Sequence, residues 1–123
     1  MDAAEPRNRP NGFNTEWAAA AGQIDLLAHD VGTHLDRLGV QRTDWARVAK
    51  VAEEGGEVVG ALIKRTQGRA TDADLYDELG DVILAALAAT DQLGLKPSEL
   101  IAKRWAVVSQ RANTGTRCST TIP

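Results

Sequence analysis

The sequence predicts an all-α fold, four helices arranged as a bundle. Apolar residues recur at steps of three and four in four separate segments, as on one face of a helix. Strand-like alternation bounded by turn residues is missing. Helix-starting residues stand before these segments and glycines follow the first three.

The first predicted helix starts after Asn14, a capping residue, and runs to about Leu38, with Gly39 at the stop. Ile24, Leu27, Val31, Leu35 and Leu38 mark its apolar side. The second starts at Thr43 or Asp44 and runs to about Gln67, ahead of Gly68. Val48, Val51, Gly55, Val58 and Leu62 form its expected seam. Gly55 and Gly56 are costly inside a helix, about 1 kcal/mol each relative to alanine. A neighbouring backbone or a ligand passing close by would account for them.

The third helix opens on Thr71-Asp72-Ala73-Asp74, which fits a capping box with aspartate at its third position. Leu75, Leu79, Val82 and Ala86 form the expected apolar face, and Gly94 follows the end near Leu93. Pro97 suits the first position of a fourth helix, where an amide would have no partner. Leu100, Ile101, Trp105 and Val108 line that helix, which fades after Arg111. Residues 1–13 read as a mobile leader and 112–123 as a flexible polar tail. A helical core this small is expected to be completed by oligomerisation.

Bulk properties narrow the function. The chain has 123 residues and a net charge of -3, so it carries no basic footprint for nucleic acid. No segment approaches the ~20 apolar residues of a membrane span, and the first residues lack the apolar run of a signal peptide. A cytoplasmic location is expected. The single cysteine, Cys118, excludes an intrachain disulfide and sits in the polar tail. His29 and His34 are five residues apart and do not share a helical face.

The informative pattern is acidic. Residues 53–57 read Glu-Glu-Gly-Gly-Glu and residues 78–81 read Glu-Leu-Gly-Asp. Glu54 and Glu57 share a helical face, and so do Glu78 and Asp81. Each pair adjoins an apolar seam. A short connection between the second and third helices lets them pack antiparallel, with four carboxylates facing one another. Carboxylates held that close repel, and a cation between them relieves the conflict. Magnesium fits this oxygen-only donor set, with manganese as the alternative. The absence of histidine from both segments argues against a di-iron site.

Glu53-Glu54-Gly55-Gly56-Glu57, followed after twenty residues by Glu78-Leu79-Gly80-Asp81, resembles the signature of the MazG-like all-α nucleoside triphosphate pyrophosphohydrolases. The resemblance spans about residues 44–111. It implies hydrolysis of nucleoside or deoxynucleoside triphosphates to monophosphate and pyrophosphate. It also implies magnesium held by Glu54, Glu57, Glu78 and Asp81, and a homodimer or homotetramer. By the same resemblance Glu53 either supports the metal ligands from behind or helps orient the attacking water, and Lys50 and Arg111 contact phosphate. Trp45 or Trp17 is the candidate to stack on a base, against the alternative that a tryptophan near a helix start packs in the core. The chain departs from the family in the fourth helix, where Trp105 and Val107 stand in place of a frequent Asn and Lys. Two other readings are a nucleotide- and metal-binding regulator with little turnover and a non-catalytic oligomerisation module.

Overall fold

A computed structural model describes residues 15–111. The leader 1–13, the Asn14 cap and the tail 112–123 with Cys118 lie outside the described residues. Four α-helices account for the architecture: α1 (Thr15–Arg37), α2 (Asp44–Thr66), α3 (Asp72–Gln92) and α4 (Pro97–Arg111). Among the described residues there is no strand. None of these helices is long and apolar enough to cross a membrane.

The expected boundaries hold for local chemical reasons. Thr43 caps α2, its hydroxyl accepting from the Ala46 amide at 3.1 Å. Thr71 and Asp74 form the reciprocal capping box of α3. The Asp74 amide donates to the Thr71 hydroxyl at 3.2 Å, and the Thr71 amide donates to Asp74 Oδ2 at 2.8 Å. Those bonds hold the Asp74 carboxyl below the usual carboxylate range. Gly39, Gly68 and Gly94 adopt φ near +75°, +73° and +74°. Each ends its helix in a Schellman motif, with Val40, Arg69 and Leu95 amides donating back to Leu35, Lys64 and Thr90 carbonyls.

The chain divides into two units, one ending at Ile24 and resuming at Ser98, the other running Asp25–Pro97. In the first, α4 carries Leu100, Ile101, Trp105 and Val108, each more than a third exposed. The second holds the later part of α1 with α2 and α3. There, α2 and α3 form an antiparallel hairpin, closed at its far end by Gln92 Nε2 donating to Asp44 Oδ1 at 3.1 Å.

The buried apolar set is Ala28, Ala61, Ala85, Leu87, Ala88 and Ala89. Five of these six are alanines, so helix backbones approach closely but little apolar area leaves water. Gly32 belongs to the same economy of space. The Asp91 carboxylate lies directly over its Cα, where a Cβ would collide with it. Asp91 in turn stands 3.9 Å from both His29 and Arg42.

Two expected seams are displaced. On α2 the buried residues are Arg47, Glu54 and Ala61, while Val48 and Leu62 are exposed. On α3 the buried residues are Ala85, Leu87, Ala88 and Ala89, while Leu79 and Ala86 are exposed. Hydrophobic periodicity assigns charged positions to solvent, but a charge with partners can take the inner face. Arg47, only 2% exposed, has such partners: Gln41 O and Asp36 Oδ1, each at 3.2 Å. Arg42 grips the same Asp36 carboxylate through Nε and Nη2, the latter at 2.7 Å, and holds it below its ordinary pKa.

Candidate metal centre

Seven residues separate Arg47, Glu54 and Ala61, which is two helical turns. Lys50 and Glu57 fall on the same stripe at steps of three and four. That stripe of α2 therefore reads Arg47, Lys50, Glu54, Glu57, Ala61, with Arg47, Glu54 and Ala61 buried and Lys50 and Glu57 exposed. Glu78 and Asp81 supply the matching face of α3.

The helix pair brings the predicted acids together. Glu54, Glu78 and Asp81 each offer an oxygen within 4.8 Å of the others, and so do Glu53, Glu54 and Glu57. Glu54 belongs to both groups and is 9% exposed. Glu57 lies within hydrogen-bonding reach of Glu78, a bond that exists only while one of the two carboxyls carries a proton. Burial pushes the Glu78 carboxyl above its ordinary pKa, and the charges of Glu57, Asp81 and Glu54 push it the same way. Glu78 Oε2 is buried without a hydrogen-bond partner. A buried, unpaired carboxylate oxygen among like charges has the chemistry to coordinate a cation. The donor set is oxygen throughout, the chemistry of a hard divalent ion.

Lys50 already touches this cluster. Its Nζ lies 3.1 Å from Glu54 Oε1 and 3.2 Å from Glu53 Oε1. The bond to Glu54, then that to Glu53, raises the lysine above its ordinary pKa. Glu53 itself is exposed.

Two cavities meet the cluster on different sides. One, about 650 Å³, is lined by Val31, Leu35, Val40, Leu84, Ala85 and Ala88, with Asp30 and His34 from α1. Arg47, Lys50, Glu54 and Asp81 complete it. The other, about 520 Å³, is lined by Glu57 and Glu78, by Gly56, Gly60, Ala61 and Ala70, and by Lys64, Arg69 and Asp74.

Other predicted residues stand apart from these walls. Trp45 is 81% exposed and lines neither cavity, so in this chain it is not a core residue. Arg111 is the last residue of α4 and belongs to the unit that does not contain the acids. The close backbone approach considered for Gly55 and Gly56 is absent: an added Cβ would meet nothing within 4 Å at either. Sequence reasoning passed over Arg47, Lys64 and Arg69. The available signal was the three-four spacing itself, which carries the stripe from Glu57 backward to Arg47 and forward to Lys64.

Comparison of the chain with protein-family models, with curated proteins and with solved structures returned no match.

Proposed function

We propose that this chain is a magnesium-dependent nucleoside triphosphate pyrophosphohydrolase of the MazG-like type. The observation that carries the reading is the meeting of Glu54, Glu78 and Asp81 across α2 and α3, with Glu78 Oε2 buried and unpaired. Glu54, Glu57, Glu78 and Asp81 would hold the ion. Magnesium, when bound, supplies positive charge to phosphate oxygens and acidifies water.

The chain's own groups do the rest. The apolar cleft receives the nucleoside, its walls excluding water from one side of the reacting phosphate. Lys50, at the rim of that cleft, offers a cation to the α-phosphate. Glu53 orients the attacking water and accepts its proton. The new bond forms from the water oxygen to the α-phosphorus. The bond from that phosphorus to the α,β-bridging oxygen breaks, and pyrophosphate leaves with the electron pair.

The exposed apolar side chains support a homodimer or homotetramer. Ile83 is 62% exposed, and Val59, Ile63 and Leu79 are also open to solvent in the single chain. Light scattering that returned a monomer at micromolar concentration would remove this part of the reading.

The test is pyrophosphate release from a nucleotide panel, with and without magnesium, for the wild type and Glu57→Ala. Magnesium-dependent release by the wild type and its loss in a folded variant are expected. Equal turnover by the two proteins sinks the assignment. Nucleotide binding without release would favour the regulator, the reading that the Trp105 and Val107 departures support.

A further inference from the structure

The second cavity differs from the first in chemistry. Its long wall is α2 from Gly56 to Lys64, and its far end holds two cations, Lys64 and Arg69. Glu57, Ala61 and Lys64 lie on one stripe, with Gly60 beside them. At 1.5 Å rise per residue, Glu57 and Lys64 are about 10 Å apart along the axis. A helical side chain leans toward the N-terminus of its helix, so Lys64 leans back toward Glu57.

The space between is open by composition. A Cβ at Gly56 or Gly60 would meet nothing within 4 Å. Both glycines carry a helix penalty with no neighbouring chain to explain it. Arg69 is held at this end because its amide donates to the Lys64 carbonyl at 2.7 Å. Its guanidinium leans on Gln67 Oε1 at 2.6 Å. Asp74, an acid that lines this cavity, is already engaged by the Thr71 amide and feels the charge of Lys64. The cavity thus runs from a carboxylate end suited to a divalent ion to a cationic end suited to an anion.

We propose that this cavity is the pyrophosphate subsite, in which Lys64 and Arg69 bind the β- and γ-phosphates of the substrate and hold the leaving pyrophosphate. The inference rests on the pyrophosphohydrolase reading and adds two residues to it. Neither residue belongs to the acidic signature. The polyphosphate lies over Gly56 and Gly60, and the nucleoside lies in the apolar cleft beyond the acids.

The test is calorimetric titration of inorganic pyrophosphate, in excess magnesium, into the full chain. The proteins are wild type, Lys64→Ala/Arg69→Ala and Gly60→Leu. Both cations are exposed, so the double variant is expected to keep its helical circular dichroism. Tenfold or greater loss of pyrophosphate affinity is expected in the double variant, and a similar loss in Gly60→Leu. Magnesium titrated alone should bind within about twofold of wild type, since neither cation is a ligand. Pyrophosphate binding unchanged in the double variant, or absent from the wild type, overturns the subsite. The hydrolysis assay separates this failure from the larger one. Magnesium-dependent turnover with unaltered pyrophosphate affinity removes the subsite and keeps the enzyme. Pyrophosphate binding that depends on Lys64 and Arg69 without turnover keeps the subsite and removes the enzyme.

Discussion

Lys50 and Glu54 form an ion pair one helical turn apart, Nζ to Oε1 at 3.1 Å, at the edge of the acid cluster. The lysine thereby occupies one side of a carboxylate that a metal would also use. Lys50→Met should leave magnesium affinity equal or slightly higher, because a competitor for Glu54 is gone. It should lower kcat/KM at least tenfold, through loss of a cation that the α-phosphate meets. Calorimetry and steady-state kinetics read the two effects separately. Unchanged kinetics would return Lys50 to the solvated surface.

Glu78 makes the metal-free protein sensitive to pH in an uncommon direction. Its folded pKa is raised above the ordinary value of 4.5, so the folded state binds the proton more tightly than the unfolded state. Its contribution to stability is present below that ordinary value and is lost as pH rises through the raised one. Without metal, the melting temperature of Glu78→Gln should exceed that of wild type at pH 7. The difference should vanish below the ordinary glutamate pKa. Magnesium should raise the melting temperature of the wild type and leave Glu78→Gln nearly unmoved. A metal-induced rise of equal size in the variant would deny Glu78 its place at the ion.

The capping box of α3 acts in the opposite sense. The Asp74 pKa is lowered by the bonds to Thr71, so its contribution is present above the unfolded value near 3.8. It is lost as pH falls through the lowered folded value. Thr71→Ala should destabilise the protein by about 1 kcal/mol at neutral pH, as for loss of an N-cap. Chemical denaturation at pH 7 and pH 3 measures both, and a Thr71→Ala deficit that persists unchanged at pH 3 would contradict the linkage.

Two glycines inside helices should respond oppositely to alanine. At Gly80 an added Cβ meets nothing within 4 Å, so Gly80→Ala should stabilise by about 1 kcal/mol. At Gly32 it meets the Asp91 carboxylate, which must swing away from His29 and Arg42. Overpacking then outweighs the helical gain, for a net loss of about 1 kcal/mol. Thermal melts of the two variants decide it, and a stabilised Gly32→Ala would show that Asp91 moves without consequence.

The helix boundaries were legible because their signals are local. A threonine, an aspartate three residues on, or a glycine at positive φ acts through bonds within one turn. That the acids of α2 and α3 face one another was legible for a related reason. Three-four spacing on two helices joined by a short connection leaves few alternatives. The inner face was not. Arg47 is buried because Asp36 and Gln41 O reach it from outside α2, and no periodicity within α2 records that partnership. Valine and leucine positions on α2 were therefore assigned inward by about one position too many. The cationic end of the second cavity was overlooked because Lys64 and Arg69 acquire meaning only once the empty space over Gly60 is seen.

Alanine at the contact between α2 and α3 sets the gauge of the site. Ala61 from one helix and Ala85 and Ala88 from the other are buried single methyl groups, and side chains this small let helix axes approach closely. At that spacing an aspartate, a methylene shorter than glutamate, still reaches the acids opposite, as Asp81 does. A leucine at position 85 would act as a wedge. It would leave all the carboxylates in the chain and spread them beyond the grasp of one ion, so that the width of a methyl group tunes affinity for a metal it never touches.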